Sequence, residues 1–519
     1  MKIANRVQMR AIELEAMESL GISEDELIRR AGRAVADAAE KRPTRGGVAI
    51  LAGRGKNGAD GIMAGIELAK NGRPVHVFTV GYDGSESGYT KALLDEYIQN
   101  GGSVTAVEPA NTEKIAGVLS NCGLAIDAVF GTGLDFSRDP GEAVRLAFEF
   151  MRNFEDSLLS VDIPSGMDPD TGETRDMAVK PDSTITFTLP KPAHFLSASA
   201  GLCGRLEIAD IGIPVEIIDR AGIVLSTFES PDIGQELPSR NPNTHKGHYG
   251  RLLIIAGSTG YTGAAALAAR AALRTGAGTV TLCVPERVYE IVAGKLDEAM
   301  VYPLPCDASG RFSQAALPEI LRRMDGASAV LLGCGLGWGG DIPLIVEEII
   351  RHSSAPLILD ADGLNALSLN INILKEKRRE IILTPHMGEF RRLFGENYAG
   401  SAENDPAAAM RLAGEHGAVI VMKGHRTITA DGERAVINLS GNAGMAKGGS
   451  GDTLSGIISS LAAQGLEPFR AASLGVALHG AAGDAAAEKF GEYSVLPSDL
   501  IGCIPTILKT ADWRKETTG

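Results

Sequence analysis

Apolar residues fall in short runs along this chain, and their spacing switches repeatedly between a helical and an extended period. Val7, Ala11, Leu14 and Met17 recur at helical spacing, and after Gly21 the residues Leu27, Ala31 and Val35 do the same. Runs at Val48–Leu51, Val75–Val80, Leu124–Val129 and Leu158–Val161 predict strands, with helix-length segments such as Ile62–Lys70 and Gly141–Phe154 between them. This alternation predicts an open parallel sheet with helices on both faces. Residues 181–212 predict further short strands, at Ser183–Leu189 and Arg205–Ile208. The pattern then breaks at 213–245 in a stretch rich in Pro, Asn and Ser, and restarts. The second set of strands is expected at Arg251–Ala256, Thr279–Val284, Ala329–Leu332, Leu357–Leu359, Ile381–Leu383 and Ala418–Met422. Helices intervene, notably the Ala-rich Gly263–Thr275, and two long ones are expected at 452–464 and 469–489.

Two α/β domains follow from this pattern, and the length of 519 residues agrees, being too long for one core. The expected division is a first domain at 1–215, a linker at 216–240 and a second domain at 241–519. Composition adds little to the fold but narrows the function. The net charge of −15 and the lack of a Lys/Arg block argue against nucleic acid. The six Cys show no C-x-x-C pair, so no zinc site or disulfide framework is suggested. No signal peptide and no membrane-spanning run are apparent, and a cytoplasmic protein is expected.

Glycine-rich loops follow several strands. AGRGKNGADG at 52–61 has G-x-G-x-x-G spacing, which by itself suggests a dinucleotide fingerprint. A dehydrogenase needs an acid at the tip of the second strand; Asp83 lies in a turn-like YDG instead. Two more loops, Asp127-Ala128-Val129-Phe130-Gly131-Thr132-Gly133-Leu134 and Asp162-Ile163-Pro164-Ser165-Gly166-Met167-Asp168, would share the carboxyl edge of the same sheet. Taken singly, each loop is more simply structural. In the second half, Gly448, Gly449 and Gly451 precede Asp452 at the start of a helix. Backbone N–H groups in such a turn form an anion hole, and a carboxylate beside it suits a base aimed at a hydroxyl about to receive phosphate. Lys423 to Thr427 follow a strand as a nucleotide-phosphate contact would, Asp360 and Asp362 follow another, and His386 and Glu389 follow a third. His245 and His248 read as a solvated loop.

These motifs carry a resemblance. GHYGRLLIIAGS-x-GYTGAA, LDADGLNAL, LTPHMGEFRRL, MKGHRT and GMAKGGSGD resemble the ADP-dependent NAD(P)H-hydrate dehydratases, of ribokinase-like fold. Gln8-Met9, the loop at 53–61, DAVFGTGL and DIPSGMD resemble the NAD(P)H-hydrate epimerases, of Rossmann-like fold. Together they cover nearly the whole chain, in the order of a fused two-domain repair enzyme. The resemblance implies that the first domain interconverts the R and S forms of the 6-hydroxy hydrate of NADH and NADPH. The second would dehydrate the S form using ADP, giving AMP and phosphate, with magnesium accompanying the nucleotide. It implies a catalytic base in Asp452, phosphoryl stabilisation by Gly448, Gly449 and Gly451, and nucleotide contacts from Lys423, Gly424, His425, Arg426, Thr427 and Gly451. Ala264, Gly337 and His386 are similar to hydrate-contacting positions. In the first domain it implies potassium ligands in Asn57, Asp127 and Ser165. Hydrate contacts there fall on Lys56, Asn57, Gly58, Ala59, Asp60, Gly131, Thr132, Gly133, Leu134 and Asp162, with Asp162 as the candidate acid/base group. The chain departs from the family pattern at Lys56 and Ala59 (usually Asn and Gly), after Leu134, and at Ala443 and Lys447; Lys56 and Lys447 offer added phosphate contacts. Small-molecule partners and a homo-oligomer are expected. The competing reading is a ribokinase-type small-molecule kinase with a non-catalytic N-terminal binding domain.

Overall fold

Strands such as Val48-Ala49-Ile50-Leu51, with no polar position, must be covered on both faces, and this sets the layering of both halves. The computed structural model describes all residues except 43–44, 84–85, 87, 134–138, 175–177, 197–198, 229–231, 238–239, 241–242, 396–404 and 511–519. The chain forms two units that part between Val224 and Leu225. Among the described residues, no helix is long and apolar enough to cross a membrane.

The first unit holds seven strands: β1 (Gly47–Gly53), β2 (Val75–Val80), β3 (Ser103–Ala106), β4 (Cys122–Ala128), β5 (Ser157–Val161), β6 (Ser183–Phe187) and β7 (Arg205–Ala209). They lie in the order β3-β2-β1-β4-β5-β6-β7, all parallel. Alternate residues of β1 feed two separate cores, Val48, Ile50 and Ala52 on one face, Ala49 and Leu51 on the other. The strand order reverses between β1 and β4, so a crevice opens where the loops after them diverge.

Three features differ from the sequence expectation. The helix expected at 62–70 begins at Lys56, so residues 56–60 form its first turns rather than a free loop. Gly58 permits this, because a Cβ there would sit 1.7 Å from the Gly53 carbonyl oxygen. In the first helix, Arg6–Leu20, the buried residues are Met9, Ile12 and Ala16, whereas Val7, Ala11 and Leu14 are exposed. The apolar spacing marks the helix, but three of the four residues that carry it are not the ones the helix buries. Strand β3 was not foreseen; its alternation is only four residues long.

The second unit holds β8 (Leu225–Thr227), β9 (Arg251–Ile255), β10 (Thr279–Pro285), β11 (Met300–Leu304), β12 (Ala329–Leu332), β13 (Leu357–Leu359), β14 (Ile381–Leu383), β15 (Val419–Met422), β16 (Ile428–Ala430) and β17 (Ala435–Ile437). Their order is β11-β10-β9-β12-β13-β14-β15-β16-β17-β8. β16 runs antiparallel to both neighbours, and β8 pairs with β17. The stretch 216–240 is therefore not a bare linker: it contains the end of the helix Val215–Arg220, strand β8 and the helix Asp232–Glu236. The small residues of the helix Thr262–Thr275 let the helix Ser450–Ala463 approach closely; a Cβ on Gly456 would lie 2.3 Å from the Ala268 carbonyl oxygen. A further helix, Pro497–Thr510, follows the long helix Pro468–Phe490.

Candidate functional sites

In the first unit, the adjacent strands β1, β4 and β5 end in the loops that carry the expected residues. Asp127 is fully buried near the end of β4. Its carboxylate accepts from the Ser165 N–H at 2.9 Å, the Ser165 hydroxyl at 2.5 Å, the Ser160 hydroxyl at 2.8 Å and the Val129 N–H at 3.3 Å. Burial raises its carboxyl above the usual range, and the donors from Ser165 and Ser160 offset this in part. Asn57 lies in the first turn of the helix Lys56–Lys70, with its Nδ2 buried and, among the described residues, without a hydrogen-bond partner. A Cβ on Gly131 would meet Asn57 Oδ1 at 2.9 Å and Asp162 Oδ2 at 3.3 Å. Glycine at 131 thus leaves open the space on which the amide and the carboxylate converge.

Asp162 follows β5 with φ 65, in the left-handed region that a non-glycine residue enters only under local constraint. Its Oδ1 accepts from the Lys191 ammonium and, at 2.9 Å, from the Thr186 hydroxyl. Lys191 is itself 2% exposed and also donates to Thr186 at 2.8 Å. Burial pushes the Asp162 carboxyl up, but the charge and hydrogen bond of Lys191 and the bond from Thr186 outweigh it, and the net position is below the usual range. His194 contacts the Asp162 carbonyl through Nε2 at 3.0 Å, and burial pushes its imidazole down to about 3, so it stays neutral. Asp60 is also buried, and burial followed by the charges of Asp162 and Glu13 holds its carboxyl well above the usual range. A cleft of about 1380 Å³ is lined by Glu13, Lys56, Asn57, Asp60, Gly131, Asp162 and Lys191, among others.

Lys191, Thr186 and His194 were not picked out from the sequence. The available signal was a Lys and a His framed by prolines directly after a strand, in TLPKPAH. Gly58 and Ala59 are buried packing positions in the helix turn, Thr132 is partly buried and Gly133 exposed, and Leu134 lies outside the described residues. Lys56 pairs with Glu24. Asp83, the residue a dehydrogenase would aim at a ribose, pairs instead with Arg54 at 2.9 Å.

In the second unit, Gly449 (φ 100) caps the helix Ser450–Ala463, which places Asp452 in its first turn. Cys334, Asp360 and Asp452 offer side-chain atoms that all lie within 4.8 Å of one another. The Lys423 ammonium donates to Asp360 Oδ1 at 2.8 Å, the Thr384 hydroxyl to the same oxygen at 2.8 Å, and the Ser455 hydroxyl to Oδ2 at 2.8 Å. Burial would raise the Asp360 carboxyl, yet Lys423 and these hydroxyls hold it below the usual range. Among the described residues no cation pairs with Asp452, and the charge of Lys423 lowers it only in part. Burial, with the nearby charge of Asp360, pushes it up to about 6. A base needs a carboxylate that is ionised at neutral pH yet still basic, and this value meets both conditions. A Cβ on Gly451 would meet the Lys423 ammonium at 3.4 Å, so the glycine turn faces the lysine.

The neighbouring residues frame this centre. His386 caps the helix Met387–Phe394 with its ring and pairs in register with Lys423. Glu389 accepts from the His386 N–H at 2.9 Å, and burial pushes it up to about 7. The Gly337 N–H donates to Asp362 at 2.8 Å, and Ala264 is half-buried beside Gly335. Gly424 and His425 are exposed, Thr427 is buried, and Arg426 donates to the Leu439 carbonyl at 2.7 Å. The phosphate contact expected of Lys447 is not borne out by its position: its ammonium donates to the carbonyls of Tyr493 and Val495, at 2.8 and 2.6 Å. Cys334 and Ser455 were missed; only the flanking glycines of GCGLG after β12 marked the cysteine.

Residues 252–506 match the family described as NAD(P)H-hydrate dehydratase, and residues 24–193 match the YjeF-related protein N-terminus. A bifunctional NAD(P)H-hydrate repair enzyme of Moorella thermoacetica is 37% identical over 91% of this chain and 89% of its own length. Another, of Thermofilum pendens, is 35% identical over 98% of this chain and 96% of its own. An ADP/ATP-dependent NAD(P)H-hydrate dehydratase of Bacillus subtilis, co-crystallised with ATP and Mg2+, is 27% identical and covers 55% of this chain and 99% of its own, with a TM-score of 0.46.

Proposed function

The chain belongs to the family of bifunctional NAD(P)H-hydrate repair enzymes, and from that premise we propose how its own residues divide the work. The first unit is the epimerase and the second the dehydratase. In the second unit, the hydroxyl of the S hydrate is a poor leaving group until it is phosphorylated. Asp452 takes the proton from that hydroxyl as ADP transfers its terminal phosphoryl group. The N–H groups of Gly448, Gly449 and Gly451 and the ammonium of Lys423 face the charge that develops on the phosphoryl oxygens. Loss of phosphate then restores the reduced nicotinamide and leaves AMP. Asp360 acts through Lys423, which it holds in place and keeps charged; burial alone would lower that ammonium, and Asp360 and Glu389 reverse the effect.

The observation that carries this reading is the contrast between two neighbouring carboxylates, one neutralised by a lysine and one left basic at the mouth of a glycine turn. Magnesium would enter on the nucleotide phosphates, whose hard oxygens suit it. Asp360 is already engaged by Lys423, Thr384 and Ser455, so the chain contributes the glycine turn and the lysine rather than a carboxylate cage. Ala264, Gly337 and His386 would border the hydrate, and Lys423 to Thr427 the nucleotide.

In the first unit, Asn57, Asp127 and Ser165 supply an amide oxygen, a carboxylate and a hydroxyl, an all-oxygen set with one charge. Among the described residues no cationic side chain pairs with the buried Asp127, so a potassium ion held there fits the charge. Asp162, fixed by Lys191, would touch the hydrate at C6. The test is purified protein with S hydrate and ADP: AMP and phosphate should appear in step with NADH, and no loss of hydrate would overturn the reading.

A further inference from the structure

We propose that Asp60 is the general acid of the epimerisation and that epimers exchange by departure and return of water at C6, an inference that rests on the epimerase reading of the first unit. Asp60 and Asp162 line one cleft, on different elements and with opposite surroundings. Asp162 is held as a carboxylate by two donors on Oδ1, which leaves Oδ2 toward the space beside Gly131. Asp60 is 9% exposed, and among the described residues its carboxyl receives no hydrogen bond. A buried carboxyl without a donor, close to two other carboxyls, keeps its proton. Two carboxyl groups driven apart in this way take the acid and the carboxylate roles at the same pH.

The groups that face Asp60 come from four elements: Glu13 on the first helix, Lys56 on its own helix, Asp162 after β5, and Lys191 after β6. The charges of Lys56 and Lys191 oppose the rise, but Lys56 is paired with Glu24 and Lys191 with Asp162, and burial, Asp162 and Glu13 outweigh them. Glu13 is itself raised by burial, with Lys191 opposing.

The substrate's chemistry needs this arrangement. The hydrate is a hemiaminal, with its hydroxyl on the carbon next to the ring nitrogen. Asp60 gives its proton to that hydroxyl. The C6–O bond breaks, water leaves with the bonding pair, and the nitrogen lone pair closes a C6=N iminium. The Asp162 carboxylate lies against this cation. A water then adds to the opposite face of C6, the iminium pair returns to nitrogen, and the surplus proton goes back to Asp60. Atoms and charge balance, and no oxidant or nucleotide is consumed.

The experiment incubates the full chain with R hydrate and no ADP, in water labelled with heavy oxygen. The expected result is one labelled oxygen gained for each hydrate epimerised. Asp60→Asn should lower the exchange rate by roughly 100-fold or more, the range of a lost general acid. Glu13→Gln should remain active while the fall in rate at high pH moves to lower pH, because one charge that keeps Asp60 protonated is gone. Epimer exchange without label, as ring opening and reclosure would give, overturns the proposal. So does an Asp60→Asn variant at the wild-type rate, or an unmoved pH profile in Glu13→Gln. A wild-type chain with no exchange above the spontaneous rate would overturn the epimerase reading itself.

Discussion

Asp162 is a buried carboxylate at the end of a strand and Asp452 a half-buried one at the start of a helix, and their neighbours set them to different tasks. Lys191 lowers the first; burial and Asp360 raise the second to about 6. Dehydratase kcat/KM should therefore fall below about pH 6, as Asp452 becomes protonated, while ADP binding persists. Asp452→Ala should lose turnover by about 100-fold or more and still bind ADP, measured by calorimetry beside the hydrate assay. The raised value also carries a stability consequence. A group whose carboxyl is raised on folding stabilises the fold at low pH, and that contribution is lost as pH rises through the folded value. At pH 7 Asp452 is thus a liability, and Asp452→Asn should raise the melting temperature there. The gain should shrink toward pH 4; equal gains at both pH values would contradict the buried charge.

At the scale of elements, the chain gave up its central strands readily and its short ones poorly. β12, β13 and β14 are unbroken apolar runs and β9 and β10 are mostly apolar, and the positions of all five were legible to within a residue or two. β3, β11, β16 and β17 were missed because three to five residues carry too little period to separate strand from loop. The first helix was found, although Val7, Ala11 and Leu14 of its apolar spacing stay exposed, Val7 at the border of the cleft, while Met17 packs against the core. The motif loops were legible because glycine is demanded there by close approach, as at Gly58. Lys191 was not, because a buried lysine leaves no pattern in a sequence; only the strand that returns beside β5 brings it to Asp162. The same logic gives a test. Gly58→Ala forces a carbon into the Gly53 carbonyl and should destabilise the first unit by about 3 kcal/mol or more in denaturant unfolding, with dehydratase turnover retained. Gly451→Ala, with ordinary contacts around the new methyl, should fold normally and lose dehydratase rate.

At the scale of the molecule, two separate α/β units with separate cores carry two consecutive steps on one damaged cofactor. The opening loop at 52–61 shows why neither step could be read from a single motif: Gly53, Gly58 and Gly61 answer to close packing against β1, β4 and the loop after it, and Asp83 pairs with Arg54 rather than standing free for a ribose. The units should fail independently. Asp162→Ala should abolish R-to-S exchange and leave dehydration of the S form intact, and Asp452→Ala should do the reverse. The most direct measurement gives the wild-type chain a mixture of R and S hydrates with excess ADP and follows both epimers and AMP. The account predicts that both epimers disappear faster than the R form converts spontaneously, with one AMP for each hydrate consumed. Loss of the S form alone, leaving R at its spontaneous rate, would contradict the epimerase, and no AMP would contradict the dehydratase.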